Sequence, residues 1–246
     1  ATITICGASN FRPPKNLKEL NNLKSLRRGV FARNKIKKGE IVSLQDIYFA
    51  FPSEKNQFTA NDWSKYFSFK ALKSIKNNEP INKLNTKCVD QREKVWKIIK
   101  QVQNILKKCQ TQIPGGVNLE ISHHYGLNNF YKFGLVIINI INRKYTKKIL
   151  LTLPGQSHPE QWHKKKEETF YILYGDLTLN LDGEKQKLKA GDVITIMPGT
   201  KHQFYSQKGC VIEEISTTHH DDDSYYTDPK IMKNNQRKTI LTYWLE

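Results

Sequence analysis

The spacing of apolar residues changes along this chain. Leucines at helical spacing predict a short helix over residues 16–26. A stripe of apolar residues with lysines and glutamines opposite predicts a second, amphipathic helix over about residues 91–109. From Val117 onward, short apolar runs alternate with Gly, Pro and Asp turns, and these predict strands over residues 134–142, 148–153, 169–174, 177–181, 193–197, 202–205 and 211–216. Many short strands at even spacing predict a sandwich or a barrel.

The region before the second helix contains short extended pieces at residues 28–33, 40–42 and 47–51, and a capped helix start is predicted at residues 59–63. It also contains an internal repeat, because residues 35–42 resemble residues 74–81. In both copies an Ile precedes a turn that is followed by Glu and a further Ile. Gly39 and Asn78 occupy the turns, and both residue types tolerate the left-handed conformation. Each copy therefore predicts strand, turn, strand.

This first region resembles a known family. Residues 32–47 and 70–81, with the preceding residues 26–30, are similar to the SAF (antifreeze-like, β-clip) domain that closes the C-terminus of sialic acid synthases. The resemblance implies a β-clip fold and, as a possible partner, a synthase-type barrel protein. The catalytic barrel of those enzymes has no counterpart here, and Phe51 stands where they carry a sugar-contacting Arg.

Two motifs in the last region resemble the cupin family. The first has the order Gly, Gln-x-His, Glu, Gly at the family's spacing, and the second is a Gly-Asp run that ends in Pro-Gly-x-x-His; their residues are Gly155, Gln161, His163, Glu168 and Gly175, then 191–202 with His202. Gln161 stands where the family has its first His. The resemblance implies a double-stranded β-helix barrel with a polar pocket.

These residue types suit a metal. Two side chains at i and i+2 on a strand face the same side, so Gln161 and His163 can point into one site together with Glu168 and His202. Such ligands suit a divalent transition metal, Mn, Fe, Ni or Zn, with open positions for substrate. The alternative is a degenerate pocket whose His and Glu only form hydrogen bonds. His158 has the wrong parity for a ligand.

A further likeness is to cupin-type lyxose isomerases. Residues 163–168 and 214–223 are similar to segments of that family, and Lys166 and Glu214 fall where it has a pocket Lys and a pocket Glu. The likeness implies that Glu214 and Lys166 are catalytic, since a carboxylate beside a polarised carbonyl can move a proton between C1 and C2. The alternative is that residues 164–166 form a solvated turn and residues 221–223 a loop.

Aromatic residues stand near the predicted ligands. Trp162, Phe170 and Phe204 could cover the C–H face of a sugar or sugar acid. The paired histidines, 123–124 and 219–220, point to opposite faces of a strand and are interpreted as structural or surface residues.

Composition narrows the classes of function. Among 246 residues the net charge is +17, but the excess is scattered lysine, which argues against a nucleic-acid partner. No apolar run reaches the length of a membrane span, so no membrane partner is expected. The four cysteines form no CxxC pair and predict reduced thiols in a cytoplasmic protein.

The sequence therefore predicts a mainly β protein: a β-clip SAF domain over residues 1–86, a linker helix over 87–115 and a cupin barrel over 116–246. One hypothesis is a sugar-processing or sugar-binding protein of a sialic-acid-like pathway, with the cupin pocket as a metal-dependent isomerase or epimerase. The other is a non-catalytic accessory module that docks on a synthase-type barrel. Cupins often pair through sheet edges, so a homodimer is expected.

Overall fold

The computed structural model describes residues 16–64, 66–234 and 236–245, and the chain divides into two compact units between Arg92 and Glu93. The helices are α1 (Leu17–Ser25), α2 (Arg92–Lys108) and α3 (Pro229–Met232). The strands are β1 (Gly29–Ala32), β2 (Ile47–Ala50), β3 (Phe67–Ala71), β4 (Thr86–Asp90), β5 (Asn118–His123), β6 (Gly134–Asn142), β7 (Tyr145–Thr152), β8 (Gln156–Trp162), β9 (Glu168–Leu181), β10 (Glu184–Lys189), β11 (Val193–Ile196), β12 (His202–Ser206), β13 (Cys210–Thr217), β14 (Tyr225–Tyr226) and β15 (Lys238–Leu241). No helix among these residues is both long and apolar enough to cross a membrane.

The first unit is built from two matching halves. Strand β1 pairs antiparallel with β2, and β3 pairs antiparallel with β4. Ile36 and Ile75 exchange backbone hydrogen bonds of 2.9 Å in each direction, so the halves interlock. Gly39 and Asn78 have φ of 89° and 63°, which confirms the predicted turns. Apolar residues from both halves form one core: Val30, Ala32, Ile36, Val42, Ile47, Phe58, Phe69, Ala71, Ile75 and Ile81.

The prediction that a helix starts at residues 59–63 is wrong. The Asp62 carboxylate accepts hydrogen bonds of 2.8 Å from the amide and hydroxyl of Thr59, as at a helix N-terminus, but the chain only makes a turn there. The capping signal is local, and no amphipathic run follows it to support a helix.

The second unit is one curved eleven-stranded sheet. Its main path runs β14-β8-β12-β9-β13-β7-β6-β5-β15, and β10 and β11 both pair with β9. Strand β9 is 14 residues long and replaces the two strands predicted over 169–174 and 177–181. It bends at Gly175, where φ is +83° and an added Cβ would lie 2.0 Å from the Gly209 carbonyl oxygen. Only glycine fits there, so the first half of β9 can pair with β13 and the second half with β12.

The predicted hairpin and the predicted long helix are both present. Asp182 and Gly183 connect β9 to β10 with φ of 48° and 99°, as a type I′ turn requires. Helix α2 buries its apolar stripe and lies almost entirely within the second unit, where Gln103 donates a 2.8 Å hydrogen bond to the Trp244 carbonyl. The region that the sequence predicts as a linker therefore contributes its helix to this unit.

Candidate active site

Three buried side chains of the second unit converge at one point. Ligand atoms of His163, Glu168 and His202 all lie within 4.8 Å of one another. His163 follows β8, Glu168 begins β9, and His202 begins β12 as the register partner of Gln161 on β8. The Gly199 amide donates a 2.7 Å hydrogen bond to the His163 carbonyl, so the turn before β12 is tied to the end of β8. Residues from the two sequence motifs are thereby held side by side.

Both imidazoles present Nε2 to the centre of this group. Nδ1 of His163 donates to the Asp223 carbonyl, and Nδ1 of His202 donates 3.1 Å to the Thr200 carbonyl. A carbonyl can only accept, so Nδ1 carries the proton in each ring and Nε2 keeps its lone pair. Burial lowers the pKa of His163, although Glu168 opposes this.

The centre of the group leaves polar atoms unsatisfied. His163 Nε2 and Glu168 Oε2 are buried and have no hydrogen-bond partner among the residues that the structure describes. Such atoms carry a large desolvation cost unless something binds them. Two imidazole lone pairs and a carboxylate oxygen facing one point fit a divalent transition metal.

The side-chain amide of Gln161 presents its NH₂ group, and not its oxygen, to His202. Its amide Nε2 lies 3.2 Å from His202 Nε2, so the NH₂ group donates to the lone pair that a metal would take. A half-turn of the amide would present Oε1 instead, a weak ligand in the position where a His would be a strong one.

A second buried cluster adjoins the first. Lys166 Nζ forms ion pairs with Glu168 and, at 3.3 Å, with Glu214 Oε1. Lys148 Nζ lies 3.6 Å from the same oxygen of Glu214. Burial alone would lower the pKa of Lys166, but Glu168 and Glu214 outweigh it and raise that pKa above its usual range. Burial would likewise raise the pKa of Glu168, but Lys166 and the two histidines lower it to about 2. The cluster therefore holds two ammonium and two carboxylate groups.

Sheet register places Glu214 at this cluster. On β13 it pairs with Phe170 of β9 on one side and with Lys148 of β7 on the other. Ser216, two residues along the same face, donates a 3.0 Å hydrogen bond to Glu214 Oε1. All these contacts go to Oε1, so Oε2 receives no hydrogen bond from the residues that the structure describes.

Asp223 positions the loop that carries Lys166, and the sequence pattern did not single it out within the acidic run. Its carboxylate accepts hydrogen bonds of 3.0–3.1 Å from the backbone amides of Lys164, Lys165 and Lys166. Residues 164–166 thus form a turn that the Asp223 carboxylate fixes, with Lys166 buried and the other two lysines exposed. An Asp-rich segment after the last long strand was the one available signal, and it does not say which Asp turns inward.

The aromatic residues divide between pocket and surface. Phe170 and Phe204 line the pocket, whereas Trp162 stacks on Tyr225 outside the described lining, with ring centroids 4.6 Å apart. His158 also lines the pocket, against the expectation from parity, and stacks on Phe204 at 4.7 Å. A register shift between His202 and Phe204 causes this, since a bulge reverses the face on which later residues point.

The wall beyond Gln161 is polar as well. Tyr226 on β14 is the register partner of Gln161, and its hydroxyl lies 3.2 Å from His124 Nε2. Arg237 lies over the Tyr226 ring, with Cζ 5.1 Å from the centroid. Of the paired histidines, His219 lines the pocket and His124 contacts the pocket residue Tyr226. Burial lowers the pKa of each to about 4.

Comparison with known proteins identifies relatives of the second unit. A family model described as a cupin domain matches residues 149–212. The chain is 29% identical over 174 residues to the D-lyxose/D-mannose isomerase of Thermosediminibacter oceani, covering 58% of this chain and 96% of that protein. It is 31% identical over 136 residues to the D-lyxose ketol-isomerase of Cohnella laeviribosi, covering 44% of this chain and 75% of that protein.

Solved structures share the fold at lower identity. The L-ribose isomerase of Geodermatophilus obscurus has a TM-score of 0.52 and 11% identity, covering 59% of this chain and 96% of that one. The L-ribose isomerase of Cellulomonas parahominis with L-ribose has a TM-score of 0.50 and 11% identity, covering 58% and 94%. The predicted cupin fold and the likeness to sugar isomerases are thus confirmed.

Proposed function

We propose, since the chain belongs to the D-lyxose isomerase family of cupin proteins, that its second unit is a metal-dependent aldose–ketose isomerase of a sugar or sugar acid. The observation that carries the proposal is the contact between two buried groups in one pocket. One is the His163, Glu168 and His202 group, and the other is the Glu214–Lys166 pair. The relatives supply the reaction class, and the pocket supplies a metal-type ligand set next to a candidate base.

The metal would be held by His163, Glu168 and His202, with Gln161 as a weak fourth ligand after its amide turns. When bound, a divalent cation would polarise a substrate carbonyl as a Lewis acid. The hydrogen bonds from Nδ1 of the two histidines to backbone carbonyls fix the rings for this role.

Glu214 is the group proposed to move the proton. In an aldose it would take the proton from C2 at Oε2 and return it to C1, while the proton of the C2 hydroxyl moves to the C1 oxygen, which gives the ketose. Lys166 and Ser216 hold Oε1, so the carboxylate is oriented with its other oxygen free of hydrogen bonds from the described residues. Lys166 would also place a positive charge beside the oxygen on which negative charge develops.

The test is isomerisation of pentoses and hexoses by manganese-loaded protein in D₂O. We expect ketose formation with deuterium incorporated at C1 or C2. Glu214→Gln should abolish both while the protein still binds metal. Glu213→Gln is the matched control, because Glu213 is the neighbouring residue of β13 and pairs with Lys147 instead. Equal turnover in the two variants would remove Glu214 from the mechanism.

An accessory role is the second candidate, and the Gln161 amide favours it. In the conformation described, that amide already satisfies His202 Nε2 without a metal. A protein of this kind would bind no metal at stoichiometric level and would instead dock on a synthase-type barrel. Metal analysis of the purified protein separates the two candidates.

For the first unit we propose an SAF-type β-clip domain, which would connect this protein to sialic-acid-like sugar chemistry. Support comes from its paired halves: the Lys37 amide donates 2.7 Å to the Glu40 carboxylate, and the Lys76 amide donates 2.8 Å to Glu79 at the matching place. Limited proteolysis near residue 87 is expected to leave a folded cupin fragment. Loss of all fragments of that size would argue against two independent domains.

A further inference from the structure

One cation of the pocket has no carboxylate partner. Among the described residues that line the pocket there are four lysine or arginine side chains and four carboxylates. Lys166 contacts Glu168 and Glu214, Lys148 also contacts Glu214, and Lys238 pairs with Glu120 at 3.2 Å. Arg237 forms no ion pair within residues 16–64, 66–234 and 236–245.

The Arg237 side chain is held in place but not satisfied. Its guanidinium lies over the face of Tyr226, and its Nε is buried with no hydrogen-bond partner in the described part of the chain. Its backbone is fixed at the entrance to β15, where its carbonyl accepts a 2.7 Å hydrogen bond from the His123 amide. A planar guanidinium with free donors is the group best suited to grip a carboxylate or phosphate.

Arg237 lines the same pocket as the proposed metal ligands. Tyr226, the register partner of Gln161, lies between them, and the Arg237 Cζ atom is 5.1 Å from the centroid of the Tyr226 ring. The guanidinium is therefore available to the remote end of a sugar whose carbonyl end faces the ligand group.

The charge balance agrees with an anionic ligand. The lysine and arginine side chains and the carboxylates of the described lining are equal in number. A bound divalent metal would make this pocket positive, which favours an anionic substrate. Glu120 would oppose an anion near Arg237, but Lys238 neutralises it.

We propose that Arg237 forms an anion subsite, selecting sugars that carry a carboxylate or phosphate at the end remote from the carbonyl. This rests on the proposed isomerase function and names its substrate class. Arg237 would act as a specificity-determining residue, and the chemistry at C1 and C2 would remain with Glu214.

The first experiment measures binding without turnover. Manganese-loaded full-length protein is titrated calorimetrically with sorbitol, sorbitol 6-phosphate and gluconate. We expect at least ten-fold tighter binding of one of the anions than of sorbitol, and the favoured anion identifies phosphate or carboxylate as the group bound.

Arg237→Met should reduce the preference to within two-fold, and Arg237→Lys should retain part of it. Arg143→Met is the matched control, because it removes the same charge from an exposed site outside the pocket. Equal affinity for the three ligands, no binding of any, or a loss as large in Arg143→Met would overturn the proposal.

The second experiment measures turnover of mannose, mannose 6-phosphate and mannuronate. We expect Arg237→Met to raise KM for the favoured anionic sugar at least ten-fold with kcat within three-fold, and to leave mannose unchanged. Failure of the isomerase proposal would appear as no turnover of any sugar while the binding preference for anions persists. Failure of the subsite would appear as isomerisation of neutral sugars that is indifferent to Arg237.

Discussion

Removing Lys166 should expose how strongly the buried charges depend on one another. Lys148, Lys166, Glu168 and Glu214 are exposed by only 5%, 4%, 2% and 3%, and their charges cancel. Lys166→Met keeps a long flexible side chain but removes the ammonium group that touches both carboxylates. Lys148 then remains 3.6 Å from Glu214, and Glu168 has no ion pair with a lysine in the described chain.

The expected cost is large. Breaking a buried pair by removing one partner leaves an uncompensated charge and typically costs about 3–5 kcal/mol. We therefore expect Lys166→Met to lower the free energy of unfolding by about 4 kcal/mol at pH 7 in chelator-treated protein. In the native cluster Lys166 helps to hold the pKa of Glu168 at about 2, below its ordinary value of 4.5. This stabilisation is present above pH 4.5 and is lost as the pH falls towards 2. Without Lys166 the pKa of Glu168 rises, so the deficit of the variant should shrink as the pH is lowered.

Urea unfolding followed by tryptophan fluorescence measures the effect, with Lys165→Met as the control. Lys165 is the exposed neighbour in the same turn, so its loss should change stability by no more than about 0.5 kcal/mol. The double variant Lys166→Met/Glu168→Gln removes the carboxylate that has lost its lysine, leaves the Lys148–Glu214 pair in place, and should recover about 2 kcal/mol of the loss. A loss below about 1 kcal/mol in Lys166→Met, or strictly additive effects in the double variant, would refute the reasoning.

Three further outcomes are expected. Gln161→His should tighten manganese binding roughly ten-fold in a chelator-competition titration, because imidazole is the better donor; unchanged affinity would show that residue 161 is not a ligand. Asp223→Asn should cost about 2 kcal/mol in thermal unfolding, since its NH₂ group would replace one of the two oxygens that accept from three backbone amides and would face at least one N–H donor. The exposed control Asp222→Asn should leave the stability unchanged. Burial lowers the pKa of His123 and His124 from 6.5 to about 4, so the free energy of unfolding should decrease as the pH falls from 6.5 to 4. His123→Gln should make this decrease smaller in urea unfolding, and an unchanged dependence of stability on pH would contradict the expectation.

Local patterns in the sequence determined much of the architecture. The repeat with Gly39 and Asn78 predicted the paired turns of the first unit, and Asp182 with Gly183 predicted a hairpin, because left-handed backbone geometry restricts the residue type wherever it occurs. The apolar stripe predicted α2 for a similar reason, since period and length together define a helix. The spacing of two motifs also singled out His163 and His202, whose ring nitrogens the structure brings together with Glu168.

Tertiary structure alone decided the remaining features of the pocket. His158 enters it through a bulge between β8 and β12, which alternation along one strand does not reveal. Asp223 holds a turn nearly sixty positions earlier in the chain, and Lys148 reaches Glu214 only because β7 and β13 are register partners. Arg237 meets the pocket where the chain returns along β15. Hydrophobic periodicity specifies which face of an element is buried, whereas the choice of polar neighbours across a sheet depends on register and loop closure, which are properties of the whole fold.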